Sequence, residues 1–189
     1  PASDAEGWSV LMWGGASRAG SQRGSIATYL GRYLDTNGDG SGSRDATGNY
    51  SVTPEIFYIQ PPSSQVYRIH RMIPSLVDAN GLIADEYGNL GAPLTNGIQV
   101  RIQDDSGTLI DLTDTLPVQT NGDWAHLCHD VNLFDWGSGN DHVTARWTFA
   151  NSGTELRLIG ANNERLEVVL NDDFTGLLEH EFRVEGYIE

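Results

Sequence analysis

Apolar and polar positions alternate with a period of two along much of the chain, the signature of strands that bury one face. Ile98, Val100 and Ile102 alternate with Gln99, Arg101 and Gln103, and Val143, Ala145, Trp147 and Phe149 with His142, Thr144, Arg146 and Thr148. Leu166, Val168 and Leu170 repeat the pattern, and near the C-terminus Phe182, Val184 and Ile188 face away from Glu181, Arg183, Glu185 and Glu189, with Gly186 interrupting the apolar row. Further strands are predicted over 55–60, 65–73, 107–114 and 124–134, each bounded by turn residues. Asp104-Asp105-Ser106-Gly107 and Ala161-Asn162-Asn163-Glu164 read as hairpin connections, because Gly and Asn tolerate the positive φ of such turns. Many short strands without a helical period predict an all-β fold, a single antiparallel β-sandwich of jelly-roll-like form behind an extended N-terminal arm. The one helical turn predicted lies around 25–33. Pro74 lacks the donor of a central ladder and is expected at an edge or bulge. The polar stretch 78–96, anchored by Ile83 and Tyr87, reads as a long surface loop and a candidate contact surface.

The pattern fails before residue 29. Residues 1–28 include a Gly- and Ser-rich tract from Gly14 to Ser25, a composition that loses much backbone entropy on ordering and has little to bury. Ahead of it stand Trp8, Val10, Leu11, Met12 and Trp13. Two readings stay open: Trp8, Leu11, Met12 and Trp13 dock onto a partner, or they fold back on their own domain. The chain thus divides into an arm, 1–28, and a β-sandwich domain, 29–189.

Charge narrows the partners. The formal charge is −15, from 26 acidic and 11 basic residues, and every basic residue is arginine. Phosphate backbones and anionic lipid repel such a chain, so neither nucleic acid nor membrane is expected as a partner. The N-terminal residues lack the basic and apolar regions of a signal peptide, and no apolar run reaches the ~20 residues of a membrane span. The single cysteine, Cys128, has no intramolecular disulfide partner.

Candidate chemistry is sparse. Asp35-Thr36-Asn37-Gly38-Asp39-Gly40 matches the first half of a calcium loop, in which oxygens at alternate positions precede a sharp glycine turn. The second half departs from it: Ala46 stands where a bidentate Glu is expected, with Asp45 adjacent. Calcium held by Asp35, Asn37, Asp39 and Asp45 is therefore the one candidate cofactor, and an Asp- and Gly-rich turn is the plain alternative. His126, Cys128 and His129 bear soft-metal ligands, but strand alternation splits them between faces, and Cys128 reads as a core residue. Arg68, His70 and Arg71 interleave with Tyr67, Ile69 and Met72, and in so acidic a chain these arginines are expected to pair with carboxylates. No G-x-S-x-G elbow or phosphate loop is present. A sandwich glycosidase would need two carboxylates at suitable separation, which sequence does not measure. The chain is read as non-enzymatic, with no catalytic residues.

Several long stretches carry a resemblance. Gly31 to Gly40, Glu55 to Pro62, Leu94 to Ile98, Gly107 to Asp114 and Asn163 to Gly176 resemble a group of tailed-bacteriophage virion proteins, over most of the chain beyond Tyr29. The resemblance implies a virion component assembled in the host cytoplasm, with a capsid decoration or cement role. Its partners would be the major capsid protein or tail proteins, and it would form a homo-oligomer. The alternative is a tail, head–tail junction or fibre component that binds a neighbouring virion protein or, through tryptophans such as Trp124 and Trp136, a host-surface glycan.

Overall fold

The computed structural model describes residues 27–80, 87–91, 94–112, 130–135, 141–149 and 155–189. The chain folds as β1 (Thr28–Tyr33), β2 (Glu55–Ile59), β3 (Val66–Asp78), β4 (Ile98–Asp104), β5 (Gly107–Asp111), β6 (Asp130–Asp135), β7 (Asp141–Thr148), β8 (Leu156–Ile159), β9 (Arg165–Leu170) and β10 (Leu177–Ile188). Sheet A has the order β1-β10-β3-β7-β6, with β8 also on β3, and sheet B the order β2-β9-β4-β5. All pairings are antiparallel. Excluding the β6–β7 hairpin, chain order runs A, B, A, B, B, A, B, A, so neighbours in a sheet are mostly distant in sequence, as in a jelly roll. The expected β-sandwich is the fold.

One core lies between the sheets. Leu30, Ile69, Leu76, Leu158, Phe182 and Val184 from sheet A meet Phe57, Ile59, Val100, Leu166, Val168 and Leu170 from sheet B. Val100 with Leu166, Val168 and Leu170, and Phe182 with Val184, follow the alternation read from the sequence, because successive side chains of a strand point to opposite faces.

Three local expectations are corrected. The helical turn around 25–33 is strand β1: Thr28–Tyr33 pairs residue for residue with Ile188–Arg183 of β10, which buries Leu30 and turns Tyr29 and Gly31 outward. Ladder pairing and burial outweigh a weak helical spacing. Ala161–Glu164 is no hairpin turn, since β8 joins sheet A and β9 joins sheet B; a 3-10 turn at Gly160–Asn162 carries the chain across. Pro74 sits within β3, between β10 and β7, not at an edge. It is opposite Phe182 of β10, while the β7 ladder skips Ile73 and Pro74, so the missing N–H falls where no ladder bond is made.

Among the described residues no helix is long and apolar enough to cross a membrane.

Candidate functional site

The residues singled out in the sequence fall into three groups. Trp8, Leu11, Met12 and Trp13, like His126, Cys128, His129, Trp124, Trp136 and Ile83, lie outside the described residues. The second group is the Asp35 loop, just beyond β1. Asp35 is buried; its Oδ1 accepts the N–H groups of Asn37 at 3.2 Å and Gly38 at 2.5 Å, and its Oδ2 accepts that of Gly42. Asp39, exposed, accepts the Ser41 N–H at 2.8 Å, and hydrogen bonds from the Ser41 side chain and backbone hold its carboxyl below the usual range. Asn37 donates to the Ser41 hydroxyl, and Asp45 accepts from the Thr47 hydroxyl at 3.2 Å. The carboxylate that would anchor a cation is thus turned onto backbone donors that close the loop. Among the described residues no three His, Cys, Asp or Glu side chains are grouped to hold a metal ion.

Two further buried aspartates do the same work. Asp78, the last residue of β3, accepts the N–H of Asn80 at 2.8 Å and of Asn89 at 2.6 Å. Asp172, just beyond β9, accepts from the backbone of Thr95 at 3.1 Å, Asn96 at 3.0 Å and Gly97 at 2.9 Å. Loop amides have no ladder partner, and a buried carboxyl group with two acceptor oxygens satisfies several at once.

His180, absent from the sequence reading, is fully buried in β10 against Phe174, Phe182 and Tyr87. Its Nδ1 donates to the Ala46 carbonyl at 3.0 Å, which assigns Nε2 as acceptor from the Tyr87 hydroxyl at 2.7 Å. Burial lowers its pKa to about 4, so the ring is neutral and ties two loops to the sheet. Period-two parity from Phe182 and Val184 was the available signal, since position 180 shares their inward face.

The third group leads to an open cleft. On the outer face of sheet A lies a cleft of about 520 Å³ lined by Ala27, Tyr29, His70, Arg71, Thr148, Glu185, Gly186 and Tyr187. An irregularity in β3 builds it. Glu185 pairs with Arg71 and Gly186 with Ile69, leaving His70 unmatched as a β-bulge. Strand burial records the consequence: alternation breaks at His70 and Arg71, and both side chains emerge on the outer face. At the same residue the other side of β3 passes from β8, paired up to Ile69, to β7, paired from Arg71. Glycine at 186 is required by this approach, because a Cβ there would stand 1.8 Å from the Arg68 carbonyl oxygen.

The arginines pair as expected. Arg71 Nε meets Glu185 Oε2 at 2.6 Å, and Arg183 meets Oε1 at 3.3 Å. Burial pushes the Glu185 carboxyl up, but the Arg71 hydrogen bond, both guanidinium charges and the Tyr29 hydroxyl outweigh it and hold the group below its usual range. Arg68 joins Glu155 at 3.6 Å and Glu189 at 3.0 Å, and Tyr187 donates to Glu155 at 3.3 Å. His70 stands edge-on to the Tyr187 ring with centroids 5.3 Å apart. Its Nε2 is 3.3 Å from Glu155 Oε1 but out of line for a hydrogen bond. Tyr29 lies down along β1 over Gly31, its Cε1 only 2.7 Å from where a Cβ at 31 would be, and its hydroxyl accepts from Arg183 at 3.2 Å.

No family model matches the chain, and no curated protein matches it.

Proposed function

We propose that this protein is a structural, non-catalytic component of a tailed-phage virion, decorating or cementing the capsid with its jelly-roll body while the N-terminal arm engages a neighbouring subunit. The observation that carries this reading is the use made of the buried ionisable groups. Asp35, Asp78 and Asp172 close loops on backbone amides, Glu167 is held by arginines, and His180 is a neutral strut. Groups committed to the fold in this way serve a rigid building block better than acid–base chemistry, which needs a proton exchanged near neutral pH. Fold-level analogy points the same way, because jelly rolls recur in viral shells. The resemblance of the stretches between Gly31 and Gly176 to phage virion proteins supplies the virion context and, with it, partners among capsid or tail proteins.

Copy number in purified particles of the encoding phage tests the proposal. Quantitative mass spectrometry is expected to find this chain on the order of hundreds of copies per particle, as multivalent cementing of a shell requires. A handful of copies would move it to the tail or head–tail junction, and absence from the particle would refute a virion role.

A further inference from the structure

We infer that the outer-face cleft of sheet A is a carbohydrate-binding site, in which the Tyr29 ring stacks on an uncharged pyranose and the Arg71–Glu185–Arg183 cluster hydrogen-bonds its hydroxyls. The inference goes beyond the structural role and does not rest on it. Its first support is the platform. Tyr29 is 64% exposed, yet it is neither loose nor upright: it lies along the strand over Gly31, with its hydroxyl tethered to Arg183. A flat, pre-positioned aromatic face meets the C–H face of a sugar ring at little entropic cost. Tyr187, set edge-on to His70, contributes a second aromatic to the same cleft.

The second support is the polar chemistry. Arg71 and Arg183 exceed Glu185 by one positive charge, and the adjacent Arg68 with Glu155 and Glu189 offsets it, so the ion pairs of this face sum to zero and the face is not built to attract an ion. A guanidinium carries N–H donors in a fixed fork and a carboxylate carries several lone pairs. The Arg71 side chain remains 41% exposed and that of Glu185 14%, so donors and acceptors stand side by side at the cleft. Adjacent hydroxyls of a sugar donate and accept in the same pairwise fashion. The chain's charge of −15 weighs further against acidic ligands.

The third support is construction. The His70 bulge, with Gly186 at its register shift, and the bare Gly31 beneath Tyr29 both shape this one face. Bulges of this kind re-aim side chains at sites. The volume, about 520 Å³, falls within the range usual for small-molecule sites.

The full chain, labelled and applied to immobilised oligosaccharides of glucose, galactose, mannose and N-acetylglucosamine beside sialylated and sulfated ones, should be retained by one or more of the neutral set. Calorimetric titration of the retained oligosaccharide should show roughly tenfold or greater loss of affinity for Tyr29→Ala and for Glu185→Gln, as expected for a stacking and a charge-assisted contact. Val52→Ala, at an exposed position outside the cleft, should bind as the parent. Thermal melts establish that each variant is folded, and should Glu185→Gln fail to fold, the surface variant Tyr29→Ala decides. The proposal is overturned by no retention on any neutral glycan, by preference for the sialylated or sulfated ones, or by affinity unchanged in Tyr29→Ala.

Discussion

On sheet B, Glu167 stands between Arg101 Nε at 2.7 Å and Arg165 Nε at 2.6 Å, with its side chain 2% exposed. On sheet A, Glu185 stands between Arg71 and Arg183 at 2.6 and 3.3 Å, beside an open cleft. The ionic motif is the same on both outer faces, so charge and residue type do not distinguish them. Surroundings do. In sheet B the central strand β9 is buried along nearly its whole length, Glu167 and Val169 included, and both Glu167 oxygens are taken by the arginines, with one longer contact from Arg165 to Asp105 at 3.8 Å. In sheet A the bulge, the two glycines and the reclining tyrosine keep the cluster at the surface, where it meets water or a ligand. A buried cluster acts on the fold, whereas a surface one is available for recognition.

The largest expected effect tests the buried side. Glu167→Ala leaves two arginines facing a desolvated gap and should cost about 3 kcal/mol in chemical denaturation. A cost equal to that of the corresponding change in sheet A would break the comparison. His180 extends the rule to a base: its folded pKa of about 4 lies below the unfolded value of 6.5. The unfolded chain therefore binds the extra proton in that window, so stability is full above pH 6.5 and falls by about 3 kcal/mol as pH drops toward 4. Denaturation at a series of pH values should show this loss, and His180→Gln should remove that part of the slope. Asp172→Ala strands the Thr95, Asn96 and Gly97 amides and should cost about 2 kcal/mol, read by the denaturation midpoint.

Smaller effects are expected on sheet A. Glu185→Gln should cost about 1 kcal/mol or less. Because the Glu185 carboxyl is held below its usual range, the stabilisation it gives is present above the ordinary carboxylate pKa and is lost only as pH falls below that value through the lower folded one, well after the His180 loss has begun. Tyr29→Ala should change stability least, by under about 0.5 kcal/mol in thermal melts. A larger loss would show that the ring serves the fold and not the cleft.

Much of the sandwich was legible in the alternation. Ile98 to Gln103, Leu166 to Leu170 and Phe182 to Val184 stand in strands with the faces their pattern implies, because one-sided burial imposes period two whatever the partner strand. The turn Asp104 to Gly107 was read rightly as a hairpin for an equally local reason: it joins β4 to β5, which pair. The similar turn after β8 was misread, since which sheet the next strand joins depends on distant residues. The cleft was legible only as an oddity, the adjacent pair His70 and Arg71 within an otherwise alternating strand.

By itself the amino-acid sequence determined most of the strands, the inward faces of the regularly alternating ones, the all-β class and the pairing of arginines with carboxylates, all consequences of local periodicity and overall charge. Tertiary structure alone decided that Asp35, Asp78 and Asp172 close loops on backbone amides, that His180 is neutral, and that Tyr29 and Glu185 meet on one surface. Those outcomes depend on contacts such as Asp172 with Gly97 and Arg71 with Glu185, in which burial and partner are set by strands far apart in the chain. An aspartate's pattern in sequence is the same whether its oxygens will face a cation, water or a buried amide, and only the packed fold chooses among them.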